Sequence, residues 1–149
     1  MHITLAHIGP RAGSKDEFER LSQVYLERCS VFARCQSEAF RSEEAMLDWL
    51  KLQKGRVPAL AVLLDSCGRQ MSSEAFAGWL RKHRDGGAQQ IVFAIGPADG
   101  WSDAARERAQ LLLSLGPMTL AHALARLVMA EQLYLAITIL TGHPYHAGH

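Results

Sequence analysis

The residues best suited to chemistry lie near the end of the chain. His122 and Arg126 stand four apart in a segment whose apolar spacing predicts a long helix over residues 121–140, so they share one face. An imidazole beside a guanidinium can hold a phosphate or an imide carbonyl. The same pair is equally consistent with a capping histidine next to a solvated arginine. Glu131 follows on the same helix, and Tyr145 and His146 lie in a short tail with histidines at 143, 146 and 149. Two or three histidines can bind zinc, but Pro144 and Gly148 oppose a regular helix and no cysteine or carboxylate lies close by in sequence. A tail folding over a site, with Tyr145 and His146 as stacking and polar groups, is favoured over a metal centre. A frayed terminus is the plainer alternative.

Three loops could receive a ligand near these groups. Gly96, Pro97, Ala98, Asp99 and Gly100 follow an apolar run, and small residues there let a ligand approach the backbone. The spacing is neither GxGxxG nor a P-loop, so classical dinucleotide or nucleoside-triphosphate binding has no support, and a plain strand-to-helix turn fits equally. Leu115, Gly116, Pro117, Met118, Thr119 and Leu120 precede the long helix; their backbone could read an adenine edge while Met118 and Leu120 pack its ring. Asp65 ends another apolar run, placed to act as a base or, more commonly, to cap a turn over residues 65–68. Trp101 is placed either to shield a ligand or to fill the core.

The elements that position these loops alternate. Strands are expected over residues 3–8, 35–40, 59–64, 91–95 and 111–115, the third being apolar throughout, as for a strand buried on both faces. Helices are expected to open at Ser14 (with Glu17 completing a capping box), Ser42, Ser72 and Ser102. In the first helix Phe18, Leu21, Tyr25 and Cys29 recur at helical spacing; Trp49, Phe76 and Trp79 read as core on the next two. The pattern predicts an α/β fold, a mainly parallel sheet with helices on both faces, in one domain spanning residues 1–149. Ligands in such sheets sit at the carboxyl ends of the strands, where all three loops fall.

Composition narrows the class. With 48% hydrophobic and 21% charged residues among 149, the chain is expected to fold around a real core. A net charge of +1 neither demands nor excludes a nucleic-acid partner. Cys29, Cys35 and Cys67 form no CxxC pair, which with no secretory leader pattern points to free thiols in a reducing cytoplasm. Arg126, Glu131 and Gln132 interrupt the longest apolar stretch, residues 123–140, favouring a buried amphipathic helix over a membrane span.

The blocks IGPADG at 95–100, MTLAH at 118–122, Arg126, AEQLY at 130–134 and HPYH at 143–146 together resemble, in this order, the RlmH family of bacterial pseudouridine N3-methyltransferases acting on 23S ribosomal RNA. The likeness spans essentially the whole chain and is most specific in its C-terminal blocks. It implies a SPOUT fold with a deep trefoil knot near the C-terminus. It also implies a homodimer with the active site at the subunit interface, S-adenosylmethionine as methyl donor with no metal, and 23S rRNA on the assembled 70S ribosome as substrate. By the same resemblance Leu64, Gly96, Leu115, Gly116, Pro117, Met118, Thr119 and Leu120 bind the donor. His122, Arg126, Glu131, Tyr145 and His146 lie near the target nucleotide, the tail of one subunit completing the site of the other. A SPOUT enzyme with another RNA target, or a ribosome binder without catalysis, are the competing readings.

Three departures bear on that choice. Pro97 stands where the family usually has a second glycine, which removes an amide donor. Leu135 stands where the family usually has an arginine after the helix tyrosine. Ala147, Gly148 and His149 replace a commonly basic end.

Overall fold

The protein is described by a computed structural model over residues 1–53 and 55–148. His149, the third histidine of the tail, lies outside the described residues. The elements run β1 (His2–Ile8), α1 (Glu17–Cys29), β2 (Arg34–Phe40), α2 (Glu43–Leu52), β3 (Leu60–Gln70), α3 (Ser73–Asp85), β4 (Gln90–Ile95), α4 (Asp103–Arg108), β5 (Leu111–Ser114) and α5 (His122–Thr141), closed by a 3-10 turn, Pro144–Gly148. The five strands form one sheet in the order β2-β1-β4-β3-β5, and every pairing is parallel.

Alternation along each strand sorts the core into two layers. Ile3, Leu5, Val62, Ile91, Phe93 and Ile95 face α1, α3 and α5. Ala6, Ile8, Ala61, Leu63, Val92 and Ala94 face α2 and α4, with Met46, Leu50 and Ala105. Helices thus cover both faces, as a parallel sheet requires.

The serine caps fall where expected: Ser42, Ser72 and Ser102 each accept the amide three residues on. At α1 the cap is Asp16, whose carboxylate accepts Glu19 N–H at 2.9 Å, and Ser14 lies outside the helix. The apolar spacing of α1 holds at Cys29, which is buried, and at Tyr25, which packs on the core, and misleads at the other two. Phe18 is 40% and Leu21 46% exposed, whereas Ser22, Leu26 and Cys29 are buried. Ser22 manages burial by donating its hydroxyl to Phe18 C=O at 2.7 Å. The long helix α5 is not amphipathic: Leu127, Val128, Ile139 and Leu140 are only half-buried while Met129, Leu133 and Ile137 are buried, so apolar side chains occupy every face. It is long and apolar enough to cross a membrane by composition, yet it packs on the sheet between α1 and α3.

The expected turn at 65–68 is instead a bulge inside β3. Leu64 and Arg69 both pair with Leu113, so the intervening residues loop out of the ladder. The β3 backbone can rejoin β5 because Gly68 has no side chain; a Cβ there would stand 2.6 Å from the Leu112 carbonyl carbon and oxygen. Backbone on the partner strand cannot yield as a side-chain tip can. Gly68→Ala is expected to destabilise the protein by about 1–3 kcal/mol, read as a lower denaturant midpoint. An unchanged midpoint would show that β3 and β5 separate freely here.

Candidate active site

A cleft of about 440 Å³ opens at the carboxyl ends of β3, β4 and β5, within the size range of small-molecule sites. Leu64, Gly96, Leu115, Gly116, Met118, Thr119 and Leu120 line it, as does His122. Pro117 is exposed and stands outside the lining. Met118 is 82% exposed, an unbranched apolar side chain at the mouth with room to close on a flat ring. Gly116 adopts φ +127°, a conformation that strains any other residue, which explains the glycine in this loop.

The cleft is mixed in character. Leu64, Ile95, Leu115 and Leu120 offer apolar surface, and Asp65, Ser66, Ser114 and Thr119 offer polar groups. The N-terminus of α5 reaches the cleft with His122 and Ala125, and its N-cap Ala121 supplies no side-chain bond. The first amides of a twenty-residue helix therefore keep donor capacity and the positive end of the macrodipole. The set offers an apolar wall to a flat ring, and amides and hydroxyls to a carboxylate.

Trp101 both shields and packs. It is buried, lines the cleft, and donates Nε1–H to Leu64 C=O at 2.9 Å, tying the loop after β4 to the end of β3. Its ring lies so close to Gly96 that a Cβ there would stand 2.7 Å from Cε2. Asp65 is a structural carboxylate: one oxygen accepts Cys67 N–H at 2.8 Å and the other meets Arg106 Nε at 3.0 Å. Ser102 on the same loop is held to Glu43 of α2 through both its amide and its hydroxyl.

Beside the cleft lies a buried polar cluster that sequence spacing could not show. Arg126 is 4% exposed; its Nη2 meets Glu19 of α1 at 3.0 Å, and its Nη1 stands 2.9 Å from His7 Nδ1 and 3.1 Å from Nε2 at the end of β1. His7 Nε2 is 3.0 Å from Pro10 C=O, which can only accept, so Nε2 carries the proton, and Arg126 Nη1, nearly equidistant from both ring nitrogens, sits against the face of the ring. The His122 ring stands edge-on to His7 with centroids 5.7 Å apart. Two buried atoms here, His122 Nε2 and Arg126 Nε, have no hydrogen-bond partner among the described residues. Arg126 is thus neither solvated nor part of the cleft lining; it stands one helical turn behind His122.

The remaining predicted residues gather elsewhere. Tyr145 donates its hydroxyl to Glu131 Oε1 at 3.0 Å and packs edge-on against Tyr134 at 4.7 Å. Burial, with Tyr25 and Glu131 as hydrogen-bond neighbours, pushes the Tyr145 phenol well above its ordinary range, so it acts as a donor. His146 Nδ1 donates to His143 C=O at 3.0 Å. Glu131 follows His122 by nine residues on α5, about 13 Å along the axis. Within one protomer, then, the tail group and the cleft stand apart.

A family model described as predicted SPOUT methyltransferase matches residues 1–146. Among curated relatives, the chain is 48% identical over 131 residues to the ribosomal RNA large subunit methyltransferase H of Koribacter versatilis, covering 88% of this chain and 89% of the relative. It is 42% identical over 142 residues to the protein of the same name from Sinorhizobium medicae, covering 95% and 82%. Among solved structures, the SpoU methyltransferase AviRb from Streptomyces viridochromogenes in complex with the cofactor AdoMet superposes with a TM-score of 0.52 at 12% identity, covering 89% of this chain and 57% of that one. A second structure of AviRb gives 0.55 at 11% identity, covering 95% and 61%. At that identity the likeness concerns the fold.

The buried cluster has a consequence for stability. Burial lowers the His7 pKa, the Pro10 carbonyl opposes this, and the Arg126 and His122 charges lower it further. Burial and the Arg126 charge likewise lower His122. Both histidines are held neutral in the fold, while in the unfolded chain they protonate near 6.5. Their contribution is complete above that pH and is lost as pH falls through the lowered native values. The urea midpoint is expected to fall between about pH 7 and pH 5, and less steeply in His7→Phe. Parallel slopes in the two proteins would remove His7 from this account.

Proposed function

The chain belongs to the SPOUT methyltransferase family, and from that premise we propose that it methylates N3 of a pseudouridine in 23S ribosomal RNA, on the assembled 70S ribosome in the cytoplasm. The supporting observation is the convergence of Leu64, Gly96 and the 115–120 loop on one cleft of donor size, with His122 at its edge. S-adenosylmethionine, when bound there, supplies an activated sulfonium methyl, so the protein's task is alignment more than activation. Leu115 and Leu120 pack the adenine, Gly96 and Gly116 allow close backbone approach, and Met118 closes over it. Pro117 stays at the rim. In the reading the family suggests, His122 and Arg126 stand on the acceptor side, where the N3 proton leaves as the new N–CH3 bond forms. Fixed positive charge there stabilises the developing imide anion.

We further propose a homodimer in which Glu131, Tyr145 and His146 of one subunit complete the cleft of the other. Their distance from the cleft within one protomer supports this, as do exposed Phe18 and Leu21 on α1 and the incompletely covered α5. The trefoil knot that accompanies this family is part of the same proposal. Leu135 is 7% exposed, so its lack of charge takes nothing from an exposed face and does not by itself favour another substrate.

The test is methyl transfer. With labelled donor and ribosomes from cells lacking this protein, the methyl is expected at N3 of one pseudouridine, strongest on 70S particles. Transfer to a different RNA would replace the substrate, and donor binding without transfer would favour a ribosome binder. For the shared site, mixing inactive His122→Ala with inactive Tyr145→Phe and allowing subunit exchange should restore up to about a quarter of wild-type activity, because half the dimers are mixed and each carries one intact site. No recovery after verified exchange would place both residues in the same site.

A further inference from the structure

On the other side of the His7–Arg126 cluster lies a second cleft of about 480 Å³, lined by His7, Arg11, Glu19, Gln23, Ser37 and Glu38. It shares no lining residue with the donor cleft. What separates them is the His7–His122 ring pair, with Arg126 bonded to His7. The strand order places this partition between the ends of β1 and β4. The chain leaves β1 for β2 on one side, and leaves β4 through α4 for β5 on the other. That is the switch point at which sheets of this kind bind ligands.

The polar groups at this partition form a continuous chain. Ser37 Oγ accepts from Gln23 Nε2 at 2.8 Å, and Gln23 Nε2 also donates to Glu19 Oε1 at 3.0 Å. Glu19 Oε2 binds Arg126 Nη2, Arg126 Nη1 packs on the His7 ring 2.9 Å from Nδ1 and 3.1 Å from Nε2, and His7 Nε2 donates to Pro10 C=O. The guanidinium Nε has no hydrogen-bond partner among the described residues, in a side chain that is 5% exposed. A buried donor is costly unless something binds it.

We infer that His7 and Glu19 are positioning residues for methyl transfer. Together they hold the Arg126 guanidinium behind His122 at the wall between the two clefts, so that its charge acts on the acceptor side. The inference rests on the proposed methyltransferase reading and adds to it two residues from the N-terminal part of the chain. A lone buried cation would leave its place for water. Glu19 supplies the counter-charge, and His7 fixes the rotation of the fork by packing the face of its ring against Nη1. Only the neutral ring can do this. Protonated, it would set a like charge against Nη1 at 2.9 Å. The other groups around His7 are His122 on α5, Glu19 on α1, Arg11 in the loop after β1 and Glu38 on β2. Acidification is therefore expected to dislodge Arg126 through His7.

The experiment compares wild type with His7→Ala, His7→Gln and Glu19→Gln. Donor affinity is measured by calorimetry, and methyl transfer to ribosomes is followed across pH. His7→Ala should keep donor affinity, which also reports correct folding, and lose about tenfold or more in kcat with the donor KM unchanged. His7→Gln keeps a side-chain acceptor and does not titrate, so it should recover part of kcat and lose the acidic limb of the profile. Wild-type kcat in His7→Ala, or an intact acidic limb in His7→Gln, would overturn the inference. A second readout needs no activity. Nitrogen-15 spectra of the His7 ring should show the Nε2–H tautomer, with a titration that rises toward the ordinary range in Arg126→Ala. The other tautomer, or a titration indifferent to Arg126, would also overturn it. Expected spectra with no methyl transfer to any ribosomal substrate would instead sink the substrate reading and leave the Arg126 geometry standing.

Discussion

A parallel sheet covered on both faces leaves charged side chains no place along the middle of its strands. Here β1, β4 and the first half of β3 carry no charged side chain along their middles, where the one polar residue, Thr4, accepts from Gln36, and charged groups emerge where the cover opens. His7 is the penultimate residue of β1, Asp65 follows the apolar run of β3, and Gly96 follows β4. The cleft at the ends of β4 and β5, the second cleft and the polar wall between them all follow from that exclusion. The loops then divide the labour: Trp101 braces the β4 loop against β3, Gly68 lets β3 return to β5, and Gly116 turns the chain toward α5.

Much of this was legible in the sequence because it rests on local rules. Serine caps at 42, 72 and 102 act through an amide three residues away, and the apolar runs of β3 and β4 announce strands buried on both faces. Gly96 and the 115–120 loop were legible because they lie just after strands, and Leu64 because it closes the apolar run of β3. The reading failed where a choice between near neighbours depended on packing. Asp16 outcompetes Ser14 because only Asp16 lies where its side chain meets the third helical amide. Phe18 and Leu21 match the helical period, yet the face turned to the sheet carries Ser22, Leu26 and Cys29. The bulge in β3 needs the Leu112 backbone, forty-four residues from Gly68 in the sequence, to explain it.

The least legible feature was the company of Arg126. Its place on a helix and its distance from His122 follow from counting, but its partners are 107 and 119 residues away, at Glu19 and His7. Nothing in the local pattern marks an arginine as buried. The functional picture changes accordingly. The cation is a fixed element of the protein's interior, paired with Glu19 and packed on His7.

The single helix α5 carries His122 at one end of its working length and Glu131 and Tyr134 toward the other, and it turns by about 100° per residue. A deletion of one residue between His122 and Glu131 would swing everything beyond it a quarter-turn or more around the axis. It would lift Arg126 away from β1 or Tyr134 away from Tyr25, depending on where the residue was lost. Only a change of seven residues, close to two full turns, would restore the phase, and it would displace the tail by about 10 Å. Spacing along this helix is therefore under constraint even at positions whose side chains do nothing beyond packing, and length variation has to be absorbed in the connections between the other elements.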